Sequence, residues 1–244
     1  MKNIHLIVSY KGTAYAGWQR QPNAVTVEEK LRTAIFDLTG EWITLYGSGR
    51  TDAGVHAHGQ SANFHTESSI PPERFAVALN TKLPSDIRIK SSREVPEAFH
   101  SRFDARGKRY LYHLYLDRIA DPFFSEYSWH IDRPLKLEAM QEAASYFKGT
   151  HDFKGFMASG SAVKDTVRTI SEIRFDLEGK RLTLAYTGNG FLYNMVRIIT
   201  GTLVEVGFGK IIPESIPQII LSGKRELAGI TAPAQGLFLD EVFY

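Results

Sequence analysis

Strand-like and helix-like periodicities follow one another along the first 95 residues in the order β-α-β-β-α-β. The first helix starts at a capping box, in which Thr26 is followed three residues later by Glu29, and it ends at Gly40. The predicted strands are 3–10, 41–46, 59–65 and 86–94, and the predicted helices are 26–40 and 73–81. This order predicts a split βαβ, or ferredoxin-like, arrangement.

The second part of the chain repeats this order with one added helix, although the two parts share no convincing similarity residue by residue. Its predicted strands are 108–117, 168–177, 180–187 and 237–243, and its predicted helices are 135–147, 192–206 and 213–221. We therefore expect an α+β protein of two ferredoxin-like halves, residues 1–104 and 105–244, packed side by side with their sheets facing a common cleft.

The chain has 244 residues and no cysteine. Without cysteine it has no disulfide, no thiolate zinc site and no cysteine nucleophile, which suits a reducing cytosol. Its first residues lead directly into a predicted strand, and no apolar run approaches the roughly 20 residues that a membrane-spanning helix needs. We therefore expect a cytoplasmic protein without a membrane anchor.

Positive charge is concentrated in residues 88–118, although the formal net charge of the chain is only +2. This window has four acidic residues and eight basic ones, and its net charge is +4. On charge alone, this window is best interpreted as an ordinary solvent-exposed surface. Residues 99–112, however, interleave cations with aromatic rings, which is typical of proteins that hold single-stranded nucleic acid. Tyr110 and Tyr112 share one face of a predicted strand, so a packing role stays open for either. The basic residues are Arg88, Lys90, Arg93, Arg102, Arg106, Lys108, Arg109 and Arg118.

A loop rich in glycine and polar residues, Gly47–Ala57, lies between two predicted strands. It contains Arg50 and Asp52, and an arginine beside an aspartate favours the ionised carboxylate. A lone Arg-x-Asp is usually a turn with an ordinary surface arginine, but eleven residues of this composition favour a functional loop. His56 and His58 have the spacing of metal ligands on a strand. No cysteine or second matched cluster accompanies them, so we predict no metal site.

Arg197 interrupts an apolar helical stretch, between Val196 and Ile198. A long cationic side chain in such a stretch usually extends its charge towards the solvent. The alternative is that it is the partner of a carboxylate elsewhere in the chain, because buried charges are normally paired. The residues alone leave both interpretations open.

The segment GRTDAGVHA, residues 49–57, resembles the catalytic loop of the TruA family of tRNA pseudouridine synthases. The loop is specific by itself, and the other matching segments are specific as an ordered set. Ser101 and Ser61 depart from the family pattern, at positions where alanine and an apolar residue are common. The other segments, in family order along the whole chain, are Tyr10-Lys11-Gly12, Gly17-Trp18-Gln19, Leu79-Asn80, Leu83-Pro84, Asp86-Ile87, the block 99–112, His151-Asp152-Phe153, Phe191 with Met195-Val196-Arg197, and Ala232-Pro233-Ala234 with Gly236-Leu237.

This resemblance implies an enzyme that isomerises uridine to pseudouridine at positions 38, 39 and 40 in the anticodon stem-loop of tRNA, with no cofactor and no metal. It implies that Asp52 is the catalytic carboxylate and nucleophile; attack on the sugar, addition to the base and abstraction of a sugar proton stay open as its route. Arg197 resembles the buried arginine that pairs with this aspartate, Arg50 the arginine that helps to extrude the nucleotide, and Tyr110 the tyrosine that stacks on the target uracil. A homodimer is also implied, as is the pseudouridine synthase fold, with a central antiparallel sheet and a cleft between the halves.

Two other functions agree with parts of the pattern. A non-catalytic RNA-binding module on ferredoxin-like halves would use the basic block, but a carboxylate at Asp52 would repel phosphate there. A carboxylate-dependent phosphodiesterase needs two or more acids gathered on a divalent metal, and no such cluster stands out in the sequence. The sequence therefore favours the RNA isomerase.

Overall fold

The computed structural model describes residues 1–160 and 163–244, and it confirms the α+β class. Within those ranges, no helix has the length and apolar character needed to cross a bilayer. The α-helices are α1 (Val27–Thr39), α2 (Phe75–Asn80), α3 (Leu137–Ser145), α4 (Met195–Gly207) and α5 (Ile216–Ser222). The strands are β1 (Lys2–Tyr10), β2 (Tyr46–Gly47), β3 (His56–Thr66), β4 (Ile87–Val95), β5 (Gly107–Leu116), β6 (Trp129–Ile131), β7 (Gly149–Asp152), β8 (Val167–Glu178), β9 (Arg181–Gly188) and β10 (Leu237–Phe243).

The chain divides into two compact units. The first contains Met1–Arg106 together with Phe238–Tyr244, and the second contains Gly107–Leu237. The predicted halves, 1–104 and 105–244, place the last strand with the second half, whereas this division places it with the first unit.

Backbone pairing explains the position of the last strand. In the first unit, β10 runs parallel to β3, with Phe238 opposite His56. Next to this strand, the Arg106 amide donates a hydrogen bond to the Phe243 carbonyl oxygen at 2.8 Å. These are long-range contacts, and nothing in the local sequence of β10 indicates them.

The sheet of the first unit contains β4, β1 and β3 in that order, with β1 antiparallel to both neighbours. The other edge of β3 pairs with β2 near Asn63 and with β10 near His56. Phe75 of α2 packs edge-on against Phe64 of β3, with 5.6 Å between ring centroids. Helix α2 therefore packs on the face of β3 that carries Phe64.

Local signals predict α1 correctly. The Glu29 amide donates to Thr26 Oγ1 at 3.4 Å, which is one half of the predicted capping box. At the other end, Gly40 caps the helix with a φ of +76°, a left-handed conformation that favours glycine.

The predicted strand at residues 41–46 is mostly absent, since only Tyr46–Gly47 pair as β2. Ile43 and Leu45 are buried, and the residues that alternate with them, Trp42 and Thr44, are exposed. Their backbone does not join a ladder, and the Ile43 carbonyl oxygen instead accepts a hydrogen bond from Arg32 Nε at 3.2 Å. The alternation therefore records burial and not strand pairing.

In the second unit the strand order is β6-β5-β9-β8-β7, with β6 parallel to β5 and the other neighbours antiparallel. The β8–β9 hairpin turns at Gly179, as predicted, with a φ of +59°. The sequence did not predict β6 and β7, because strands of three and four residues are too short to show alternation.

The apolar helix α4 lies in the core of the second unit. The Tyr186 hydroxyl lies 2.8 Å from Thr200 Oγ1, and both side chains are buried. A Cβ atom on Gly201 would come within 1.8 Å of the Ile230 carbonyl oxygen. The chain near Ile230 therefore packs directly on the helix backbone, and only glycine allows this approach.

A buried polar network joins β1, β3 and Tyr244 in the first unit. His5 Nε2 lies 2.7 Å from Ser61 Oγ, which lies 2.5 Å from the Tyr244 hydroxyl. That hydroxyl donates to the Ser101 carbonyl oxygen at 2.8 Å. Burial, and secondly the charge of Arg93, lower the pKa of His5 from 6.5 to about 4. The imidazole is therefore neutral at pH 7.

We expect the free energy of unfolding to fall as the pH decreases from 6.5 towards 4. In that window His5 binds a proton in the unfolded chain but not in the folded one, so acid favours unfolding. Above pH 6.5 the imidazole is neutral in both states, and the free energy of unfolding no longer depends on its titration. Urea unfolding between about pH 4.5 and 7.5 measures the slope, and His5→Gln should flatten it. His65→Gln, a control closer to the surface, should keep the wild-type slope. An unchanged slope in His5→Gln would contradict the assignment.

Candidate active site

The loop Gly47–Ala57 leads from β2 into β3 in the first unit. Asp52 is half-buried within it, and its neighbour Ala53 is exposed, so the carboxylate lies near the surface and in contact with protein. Arg50 is exposed, and its side chain forms no hydrogen bond or ion pair with the described residues. The loop therefore presents one charge of each sign, and the arginine is able to reorient.

Hydrogen bonds hold the loop on either side of Asp52. The Trp18 amide donates to the Thr51 carbonyl oxygen at 3.0 Å, and Thr51 Oγ1 lies 2.7 Å from the Tyr10 hydroxyl. Burial raises the pKa of Tyr10, so its hydroxyl stays protonated. On the other side, the Gly54 amide donates to the Tyr15 carbonyl oxygen at 3.3 Å. The loop is thus held before any ligand binds, which lowers the cost of ordering a site.

Two glycines allow the chain to approach this loop closely. A Cβ atom on Gly12 would lie 1.9 Å from the Val55 carbonyl oxygen. Gly17 has a φ of +90°, and a Cβ there would lie 2.4 Å from the Thr51 carbonyl oxygen. These contacts give a physical reason for two of the sequence segments noted above, residues 10–12 and 17–19. The sequence shows the order of these segments along the chain, but it does not show that they support the loop.

The two histidines with metal-like spacing have other partners. His56 Nδ1 accepts a hydrogen bond from the Gly12 amide at 3.1 Å, and its ring stacks on Phe238 at 4.6 Å between centroids. His58 Nδ1 lies 3.2 Å from Asp240 Oδ1. In the described parts of the chain, no group of three or more His, Cys, Asp or Glu side chains is arranged to hold a metal ion.

Tyr110 lies on β5 in the second unit and is 8% exposed. Its ring meets Phe191 edge-on, with 5.2 Å between centroids. Tyr112, on the same face, is fully buried and donates from its hydroxyl to the Pro233 carbonyl oxygen at 2.7 Å. Burial raises the pKa of Tyr112, so it remains a neutral donor. Tyr112 therefore serves the core, and the ring of Tyr110 is positioned by Phe191.

Arg197 lies on α4 in the second unit and is half-buried. Its Nε donates to the Ala232 carbonyl oxygen at 2.7 Å, and its Nη1 donates to Asn194 Oδ1 at 2.7 Å. Asn194 precedes the helix with a φ of +60°, a left-handed conformation that asparagine tolerates. Two hydrogen bonds thus fix the direction of the guanidinium, in contrast to a side chain that extends freely into solvent.

Most of the basic block is exposed. The half-buried members are Lys108 and Arg109 on β5. The exposed members are Arg88, Lys90, Arg93, Arg102, Arg106 and Arg118. Cationic side chains at the surface are available to phosphate groups, as the sequence pattern requires.

Comparison with known proteins identifies the family. A family model described as tRNA pseudouridine synthase matches residues 6–104 and 143–244. A protein named tRNA pseudouridine synthase A from Acetivibrio thermocellus is 53% identical over 244 residues, covering all of both chains. A protein of the same name from Thermoanaerobacter sp. (strain X514) is 47% identical over 244 residues, and tRNA pseudouridine synthase A 2 from Clostridium perfringens is 48% identical over 245 residues, again over all of both chains.

Among solved structures, a chain of a Cbf5-Nop10-Gar1 complex aligns with a TM-score of 0.37 at 12% identity, covering 96% of this chain and 57% of that one. This similarity is too low to support an argument. The family match spans most of the sequence, and it includes the loop that carries Asp52 and the helix that carries Arg197. On this evidence the chain belongs to the tRNA pseudouridine synthase family.

Proposed function

We propose that this protein converts uridine to pseudouridine at positions 38, 39 and 40 of the tRNA anticodon stem-loop, as a cytoplasmic homodimer. Membership of the family makes it an isomerase that acts on tRNA uridine. The observation that carries the proposal is the segment GRTDAGVHA, which resembles the TruA catalytic loop and is held rigidly around a half-buried Asp52.

The reaction rearranges bonds within one nucleotide. The bond between N1 of uracil and C1′ of ribose breaks, the detached base turns, and a bond forms between C5 and C1′. The base loses a proton at C5 and gains one at N1, so nothing is consumed and no oxidant or reductant is needed. The protein must therefore expose the base, exclude water and move a proton.

In this proposal Asp52 is the nucleophile, and Arg50 assists by occupying the space that the extruded nucleotide vacates. The half-buried position of the Asp52 carboxylate and the exposure of Arg50 support these roles. The fixed backbone matters because a nucleophile that is already positioned loses little entropy when the substrate binds.

Tyr110 and Arg197 are the proposed contributions of the second unit. Tyr110 provides a ring for the target uracil and a hydroxyl for proton transfer. Arg197 provides the positive charge that pairs with the catalytic carboxylate. The hydrogen bonds of Arg197 to Ala232 and Asn194 support a fixed, functional guanidinium.

We also propose that the two halves of the chain have a ferredoxin-like topology. In the first unit the strand order β4-β1-β3-β2 supports this topology. In the second unit the order β5-β9-β8 corresponds to β1-β3-β2 of the first unit.

Mapping of pseudouridine in an unmodified tRNA transcript tests the proposed function. The transcripts carry uridine at only one of positions 38, 39 and 40, and uridines outside the anticodon stem-loop serve as internal controls. After incubation, base-specific chemistry should detect pseudouridine at each of the three positions and at no control position. Modification elsewhere in the tRNA alone would contradict the assigned positions, and sedimentation of the active protein tests the homodimer.

A further inference from the structure

An exposed aromatic ring belongs to a small cluster in the first unit. Phe103 is 75% exposed, and the His100 ring lies against it with 4.2 Å between centroids. Arg102 places its guanidinium carbon 5.8 Å from the centre of the Phe103 ring. On the other side of His100 lies Tyr46, at 4.6 Å between centroids. We call these four residues, Tyr46, His100, Arg102 and Phe103, the stacking cluster.

Hydrogen bonds hold the backbone beneath this cluster in one conformation. Asn63 Oδ1 accepts from the Ser101 amide at 2.8 Å, and Asn3 Nδ2 donates to the Phe99 carbonyl oxygen at 2.9 Å. Asp104 Oδ2 accepts from the His100 amide at 2.8 Å. The turn that presents Phe103 is therefore preorganised, and a ligand that stacks on the ring does not have to order it.

Isolated apolar side chains at a protein surface are common, so exposure of Phe103 alone indicates nothing. The neighbouring charge is informative. Arg102 is an exposed cation that adjoins the ring. A flat ring beside a cation suits a nucleobase with its phosphate, because every base has a π-face and each phosphate carries a negative charge.

The cluster also adjoins the catalytic loop along the chain. Tyr46 immediately precedes Gly47, where the loop that carries Asp52 begins. We propose that Phe103 is a stacking surface for an unpaired base of the substrate RNA. This inference rests on the proposed function and adds an RNA contact to it.

A stem-loop RNA with 2-aminopurine at one loop position at a time tests this proposal, because stacking on an aromatic ring quenches its fluorescence. The wild-type protein should quench the probe at one loop position. Phe103→Ala should lose that quenching and bind the stem-loop about 5- to 150-fold more weakly, while Phe103→Trp retains both.

Salt dependence separates the ring from the charge. Phe103→Ala should leave the slope of log affinity against log salt unchanged, and Arg102→Gln should lower its magnitude by about 0.7 to 0.9. Phe123→Ala is the matched control, since Phe123 is 85% exposed but lies beside Asp121. This control should bind and quench as the wild type does.

Several results would overturn the proposal. Wild-type affinity and quenching in Phe103→Ala would do so, and so would a changed oligomeric state, since the ring would then be a subunit contact. If Phe103→Ala unfolds, Phe103→Trp provides a second test. Loss of quenching in a folded Phe103→Trp protein also overturns the proposal. If uridines 38 to 40 remain unmodified while quenching still depends on Phe103, the proposed function fails and the stacking contact stands.

Discussion

Asp52→Asn is expected to reduce turnover of tRNA by at least about 1,000-fold, a loss comparable to removal of an essential acid–base group. Asparagine keeps nearly the same shape but has no ionised oxygen that attacks or accepts a proton. The turn should survive, because it uses the Asp52 backbone carbonyl oxygen, which accepts from the Val55 amide at 3.1 Å. Affinity for tRNA should be equal or tighter, since the substitution removes a negative charge that repels phosphate.

Turnover and gel-shift assays on one preparation check both parts of this expectation. Asp37→Asn is the control, because Asp37 is an exposed carboxylate on α1 of the same unit. It removes the same charge and should leave turnover unchanged. If Asp52→Asn retains turnover within about tenfold of the wild type, the carboxylate is not the catalytic group. If it loses affinity instead, the residue acts in binding.

The sequence predicts elements whose signals are local. The cap at Thr26 and the left-handed Gly40 both lie within a few residues of the helix that they bound. The same holds for the β8–β9 hairpin at Gly179. These interactions involve neighbours along the chain, so periodicity and capping residues are sufficient to locate them.

The contacts that support the loop Gly47–Ala57 were not predictable in the same way. Tyr10 and Trp18 contact Thr51 across 41 and 33 positions of the sequence. Such contacts depend on how β1 and β3 pair, and only the folded chain brings them together. Composition drew attention to the loop Gly47–Ala57, and the resemblance to the TruA loop gave Asp52 its proposed role, but the residues that hold the loop have no unusual sequence context.

The two departures from the family pattern, Ser61 and Ser101, meet in one place. Ser61 Oγ lies 3.5 Å from Ser101 Oγ, and both serines have a hydrogen-bond partner in Tyr244. A buried hydroxyl is costly without a partner. Here the Ser61 hydroxyl has His5 and Tyr244 as partners, and the Ser101 hydroxyl has Ser61. The two departures lie 40 positions apart in the sequence, whereas in the structure they belong to a single polar network.

Tyr110→Phe is expected to bind tRNA normally and to turn it over about 100-fold more slowly or worse, within the range for loss of a general acid or base. The phenyl ring keeps the stacking surface and the edge contact with Phe191 at 5.2 Å, so the base still has its platform. What the variant lacks is the hydroxyl that we propose for proton transfer. Tyr110→Ala should lose the rate and also the affinity, since stacking contributes about 1–3 kcal/mol per base.

Tyr112→Phe separates catalysis from packing, because Tyr112 lies two residues further along β5 on the same face. Its hydroxyl donates to the Pro233 carbonyl oxygen, so its loss should lower the free energy of unfolding by about 1 kcal/mol and leave the rate unchanged. Single-turnover rates and melting temperatures for the three variants distinguish the roles. A fully active Tyr110→Phe withdraws the proton-transfer role and leaves stacking. If both Tyr110 variants lose stability and the folded fraction turns tRNA over normally, Tyr110 is a core residue like Tyr112.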